Sequence, residues 1–390
     1  MQRRSFLTGL GALALGQGLM GCSQPGPLDL QAYFLRGTAP GPIFNKFQPQ
    51  VAGGKLDLKP TVTMAELFSQ LQNWYQELQQ SNNSDSPTAP PLRVVSLGDY
   101  WLGPAIAQGL IQPLNPAAWP QWSKVPQLWQ GLVSRNRSGF LASDTAAQVW
   151  GAPYRWGMTA MVYRPDKFKS LGWQPTDWSD LWKPELRQRF SLLDSPREVI
   201  GLTLKKMGRS YNTINPKDVA GLTAELAKLN QQVKYYSSDT YLQALLRGDT
   251  WLAVGWSQDI LVEARQDDSL KVVVPKSGTS LWADIWVSPR GRAAATSNDA
   301  ATQLLNQWCD FWWDPGIATQ LSEFGDALSP LLADATTLAS NPSSIPGFAA
   351  QALLPKSVSF DRHEFLEPLP PETIQQFRDL WLGMRKVVTG

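Results

Sequence analysis

Apolar and polar positions follow two rhythms along this chain: short unbroken apolar runs, and longer stretches with an apolar side chain every third or fourth residue. Leu30 to Leu35, Leu92 to Leu97, Phe190 to Leu193, Leu252 to Val254 and Lys271 to Val274 read as strands. Met64 to Leu78 reads as a helix with Leu67, Leu71, Trp74 and Leu78 on one face. Further helices are expected at Ala105 to Gln108, stopped by Gly109, at Pro196 to Met207, ended by Gly208, at Asp218 to Leu229 and at Ala301 to Trp313. Pro370-Pro371 opens a last helix with Ile374, Phe377, Trp381 and Met384 on one face. The polar run Ser81 to Pro87 is a loop, and no internal repeat is visible. Strands alternating with helices predict α/β layers, and in such folds ligands sit beyond the carboxyl ends of the strands.

The residues after the strands are therefore the candidates. Gly98 lets the chain turn after Leu97, so Tyr100 and Trp101 project either toward a ligand or into the core. Asp194-Ser195-Pro196-Arg197-Glu198 is a capping box, with Ser195 as N-cap and Glu198 at N3; the helix dipole favours an acid there without any ligand. Trp256 closes the strand at Leu252–Val254 as a lid on the core or a platform for a ligand. Leu281-Trp282-Ala283-Asp284-Ile285-Trp286-Val287 alternates with period two, placing Trp282, Asp284 and Trp286 opposite the core face. An acid flanked by aromatic rings suits a cation, because the ring faces attract it and the carboxylate adds a charge-assisted hydrogen bond.

Composition narrows the chemistry. The 390 residues suit two or three domains, and 43% hydrophobic with 17% charged residues excludes a disordered or fibrous protein. Thirty-five basic against 33 acidic residues give no field for nucleic acid. His363 is the only histidine, so a Ser-His-Asp triad or an imidazole zinc site is a poor fit. No phosphate loop, Gly-x-Ser-x-Gly elbow or Cys-x-x-Cys is present. Asp267-Asp268 reads as a solvated turn, and Tyr235-Tyr236 lacks companions for an iron site. No enzyme activity, cofactor or metal is expected.

The first residues read as an export signal. Arg3-Arg4 precedes a Gly-interrupted apolar stretch, Leu10 to Met20, too short to span a bilayer, and Leu19-Met20-Gly21-Cys22 closes it. This is similar to a twin-arginine signal joined to a lipobox, with Cys22 lipidated after removal of residues 1–21. Cys309 is then the only other thiol, so no intrachain disulfide is available.

Together these segments resemble the periplasmic spermidine/putrescine-binding proteins of ABC transporters. The resemblance runs from about Leu92 to Pro330 through Tyr100-Trp101, Gly109-Leu110-Ile111-Gln112, Ala152-Pro153-Tyr154-Arg155-Trp156-Gly157 and Asp180-Leu181-Trp182-Lys183-Pro184-Glu185. Arg197-Glu198-Val199, Trp282-Ala283-Asp284 and the Asn306–Pro315 helix continue it. It implies an α/β, two-lobed periplasmic binding protein fold of type II, its lobes joined by crossover strands. Residues 22–150 with 283–330 would form lobe 1, and 151–282 with 331–390 lobe 2. It further implies a ligand site at Tyr100, Glu198, Trp256, Trp282 and Asp284, the acids holding ammonium groups and the rings enclosing the methylene chain. The protein would be a monomeric, lipid-anchored periplasmic component that passes a polyamine to a membrane permease. Two departures leave room for a different small solute. The loop after the first strand reads Arg36-Gly37-Thr38-Ala39-Pro40, without the family's aromatics, and Ser195-Pro196 stands where an extra acid is common.

Overall fold

A computed structural model of the chain describes residues 28–51, 53–80, 91–291, 300–334, 337–338 and 344–386; the export segment and Cys22 lie outside them. The chain begins with three parallel strands, β1 (Leu30–Leu35), β2 (Leu56–Thr61) and β3 (Leu92–Gly98), linked by α1 (Gly41–Phe47) and α2 (Met64–Gln80). α3 (Asp99–Ala107), β4 (Ile111–Gln112), α4 (Gln127–Val133) and the small ladder of β5 (Ser134–Arg135) with β6 (Gln148–Val149) lead into the long strand β7 (Ala152–Tyr163). A second α/β unit follows: β8 (Phe190–Leu192), α5 (Pro196–Lys206), α6 (Leu222–Gln232), β9 (Tyr235–Tyr236), α7 (Gln243–Leu246), β10 (Leu252–Trp256), α8 (Ser257–Gln266) and β11 (Lys271–Val273). The chain returns through β12 (Ser280–Pro289) to α9 (Ala300–Phe311), α10 (Pro315–Phe324), a helix over Phe348–Leu353, β13 (Glu364–Phe365) and a last helix, Pro371–Lys386.

The main sheet runs β2-β1-β3-β12-β7-β10-β8-β9. β7 is the crossover: Ala152 to Met158 pair with β12, while Thr159 to Tyr163 pair with β10. All of its residues are buried, as expected for a strand covered on both faces. This is the expected two-lobed α/β architecture with crossover strands.

Each side of the crossover has its own core. Trp286, Trp308 and Trp312 pack with Phe44, Phe47 and Tyr154 in the first, and Phe190, Val199, Leu226, Leu252 and Phe377 lie in the second. Tyr154 stacks on Trp286 with ring centroids 4.9 Å apart, a pairing worth about 0.5–1.5 kcal/mol beyond its buried area. Trp286 is fully buried there, contrary to the expectation that it shares an open face with Trp282. α9 covers that end of β12, so both strand faces become interior. The lobe division read from sequence gave 331–390 to lobe 2. Among the described residues of that span, Ala333, Leu338, Leu353 and Phe365 pack in the first core, and Leu369, Phe377, Leu380 and Met384 in the second.

Local signals explain most boundaries. Ser195 caps α5, Pro196 opens it, and Gly208 follows it with φ 72°, the left-handed turn that glycine adopts without strain. α3 starts at Asp99 rather than Ala105, so Tyr100 stands in its first turn. The last helix buries Thr373, Phe377, Leu380 and Met384, whereas Ile374 is 54% exposed. Its apolar stripe is thus rotated from the one the sequence suggests. Among the described residues no helix is long and apolar enough to cross a membrane.

Candidate functional site

The site is built along one face of β12. Ser280, Trp282 and Asp284 alternate on that face, so at ~3.3 Å per residue the two ends lie roughly 13 Å apart. Glu198 reaches the first end: its carboxylate accepts a hydrogen bond from Ser280 Oγ at 2.7 Å. Half of the expected capping box is formed, since Ser195 Oγ accepts from the Glu198 amide at 3.5 Å. The Glu198 side chain turns inward instead of back to its cap. Burial raises its pKa from the ordinary glutamate value, while the Ser280 and Thr159 hydroxyls and the Arg197 charge oppose the rise. Arg197 is itself engaged, donating to the Glu367 carbonyl at 3.1 Å and to Asn212 Oδ1 at 2.9 Å.

The other end is arranged differently. Asp284 Oδ2 lies 2.6 Å from Arg155 Nε, and both side chains are buried. A second guanidinium nitrogen of Arg155 donates to Gln258 Oε1 at the start of α8. The guanidinium carbon sits 5.3 Å from the centroid of the Trp282 ring, within cation–π range. Burial depresses the Arg155 pKa, but Asp284 and Tyr154 together outweigh it and hold the guanidinium charged.

A slip in the ladder aims Arg155. Asp284 pairs with Arg155 and Ile285 with Pro153, which leaves Tyr154 as an extra residue on β7. Proline lacks the amide donor that a regular ladder needs, and such bulges re-aim neighbouring side chains. Gly157 gives Trp282 its floor. A Cβ there would stand 2.3 Å from Trp282 Cζ2 and 2.5 Å from Ser257 Oγ. The buried indole N–H of Trp282 finds no hydrogen-bond partner among the described residues.

Trp256 ends β10 partly buried, its ring edge-on to Tyr241 at 6.4 Å. It adjoins Ser257 and Gln258, which touch Gly157's surroundings and Arg155. Tyr100 is 54% exposed, and Arg197 lies within electrostatic range of its hydroxyl. Of the residues singled out from sequence, Trp282 and Asp284 thus share one contact cluster, with Glu198 tied to the same strand through Ser280. Trp256 and Tyr100 stand at its margins. Arg36 is exposed, and the cation inside the site is Arg155.

Sequence reasoning missed Arg155, Gln258, Ser280 and Asp99. Asp99 is buried, accepts the Ala283 amide at 3.0 Å and is pushed up to about 7 by burial. Arg155 lies within the segment Ala152 to Gly157, but only strand pairing reveals its partner. A different cavity, of about 890 Å³, lies between Leu128, Leu132 and Arg135 of the first unit and Ser210, Asn212 and Glu364. Tyr235 and Tyr236 spend their hydroxyls on Thr240 and Asn230.

Two α/β lobes around crossover strands, with acids and aromatic rings converging on one of those strands, define a solute-binding architecture. The profile of the bacterial extracellular solute-binding proteins matches residues 55–336, and the chain belongs to that family, which binds solutes rather than transforming them. It is similar to a spermidine/putrescine-binding periplasmic protein of Salmonella typhimurium, 33% identical over 176 residues, 45% of this chain and 47% of that protein. A putrescine-binding periplasmic protein of Pseudomonas aeruginosa is 26% identical over 262 residues, 62% of this chain and 67% of that protein. The match thus spans about half the length of the enterobacterial relatives. Among solved structures, a spermidine/putrescine ABC transporter substrate-binding protein of Streptococcus pneumoniae superposes with a TM-score of 0.71 at 18% identity, covering 92% of this chain and 99% of that one.

Proposed function

We propose that the chain is the solute-binding component of an ABC importer and takes an organic amine of the polyamine class between its lobes. The observation that carries this reading is the line Glu198–Trp282–Asp284 along one face of β12, with acid at both ends and an aromatic ring between them. Glu198 would receive an ammonium group, Trp282 and Trp256 would cover the methylene chain, and Tyr100 would close over it. Withdrawal from water on closure would strengthen each charged contact. The relatives' names support the ligand class, and the fold supports the clamp. The lobes would part along β7 and β12, and the protein would act as a monomer.

Delivery to a membrane permease and tethering through lipidated Cys22 complete the proposal. Cys22→Ser should move the protein from the membrane fraction to the soluble one; retention in the membrane fraction would remove the anchor. The ligand class is tested by tryptophan fluorescence and calorimetry of the full chain with putrescine, spermidine, spermine and neutral controls. A saturable response to the amines alone supports the reading, and a flat response to all of them overturns it. A second reading, a different small solute on the same scaffold, is favoured by the internal Arg155–Asp284 pair and by the aromatic-free loop Arg36 to Pro40.

A further inference from the structure

Arg155 makes with the site the contacts expected of a bound cation. Its Nε is 2.6 Å from Asp284 Oδ2, its guanidinium lies 5.3 Å from the Trp282 centroid, and Gln258 accepts from another of its nitrogens. Asp284 and Arg155 are cross-strand partners, 6% and 2% exposed, so the pair is held by the backbone register and shielded from water. We infer that Arg155 is a built-in cation filling the Asp284 end of the cleft, so that the protein selects an amine with one positive end and a polar, uncharged far end over a diamine of equal length. This rests on the reading that the cleft takes organic amines.

The reasons are electrostatic. A guanidinium keeps its proton in protein interiors, so Arg155 cannot yield its place by becoming neutral. A second ammonium reaching Asp284 would either displace it, leaving a buried guanidinium unpaired, or sit beside a like charge. Either outcome discriminates against the diamine by repulsion rather than by a lost attraction. Two other acids lie in electrostatic range of Arg155, and among the described residues neither is its hydrogen-bond partner. Asp259 accepts from Tyr241 at 2.8 Å, and Asp326 pairs with Arg265 at 2.6 Å. The Glu198 end carries no such plug, since its direct partner is the neutral Ser280 hydroxyl. The unpartnered Trp282 indole N–H offers a donor to a hydroxyl or carbonyl at the far end of a ligand.

The test compares putrescine with 4-amino-1-butanol, which replaces one ammonium by a hydroxyl, by titration calorimetry of the full chain. The wild type should bind the amino alcohol at least as tightly as the diamine. Arg155→Met should move the affinity ratio toward putrescine by tenfold or more, and Arg155→Lys, whose buried ammonium can give up its proton, should fall between the wild type and that variant. In Arg155→Met/Asp284→Asn, which leaves no buried charge unpaired, the shift should vanish. A wild type that already prefers putrescine tenfold, or a ratio unmoved in Arg155→Met, overturns the inference while leaving amine binding in place. Absence of amine binding in every variant instead removes the amine reading and this inference with it. Should Arg155→Met fail to fold, the wild-type ratio together with Arg155→Lys and the double variant still decides.

Discussion

The two ends of β12 carry the same chemistry and offer it differently. Glu198 is a buried acid whose direct partner is a hydroxyl, and burial pushes its pKa up. Asp284 is a buried acid already matched to a guanidinium at 2.6 Å. The first is an acid waiting for a charge; the second has one. A carboxylate next to a tryptophan is therefore not sufficient to define an ammonium site. What matters is whether the protein has supplied the counter-charge itself.

Mutation should separate the ends most sharply in stability. Asp284→Ala leaves Arg155 buried and unpaired, so it should destabilise the protein by about 3–5 kcal/mol in urea unfolding. From sequence alone the same change is expected to weaken ligand binding and leave folding intact. A loss below about 1 kcal/mol would mean the ion pair is not closed in solution, and the contrast between the ends would collapse. Glu198→Gln should do the reverse. It should weaken amine binding by about 1.5–3 kcal/mol, roughly tenfold to a hundredfold, through loss of one charge-assisted bond. Stability should stay nearly constant, because the amide has the same shape as the carboxyl and its oxygen can still accept from Ser280 Oγ. Equal amine affinity in Glu198→Gln and wild type would sink the assignment of that end.

The platform between the ends gives a smaller effect. Gly157→Ala places a methyl group 2.3 Å from the Trp282 ring, so it should cost about 1–3 kcal/mol and shift the tryptophan emission. An unchanged melt and spectrum would show that Trp282 is free to move and does not brace Arg155.

Proton linkage gives the finest distinction. Because the folded pKa of Glu198 is raised, its contribution to stability is fully present below the unfolded glutamate pKa and is lost as pH rises through the folded value. An ammonium ligand requires the carboxylate, so amine affinity should rise over the same window with release of a proton. Calorimetry in buffers of different ionisation enthalpy measures that release. Asp99, raised to about 7, also titrates near the site, so Glu198→Gln is the control that isolates one proton from the other. Proton release unchanged in Glu198→Gln would assign it to Asp99 instead.

How far the site was legible follows from where its information lies. Trp282 and Asp284 stand out because period-two alternation is a local property, whereas the local signals around Glu198 explain it as a helix cap and only the family resemblance marks it as a site residue. Trp286 obeys the same alternation and still lies in the aromatic core, because α9 covers that part of the strand. Arg155 was invisible as a partner of Asp284, since 129 residues separate them and a one-residue slip at Tyr154 decides which side chains face each other.

The sequence by itself determined the α/β alternation and many of its elements, though not the strands β2 and β7 or the helix α8, together with the neutral and histidine-poor composition, the export-like leader and the acids and rings after the strands. These depend on near neighbours along the chain, where periodicity, capping and composition act. Only the tertiary structure decided which acid is free and which is paired. That outcome depends on strand register and burial, which set the distance and dielectric between charges that the chain keeps far apart.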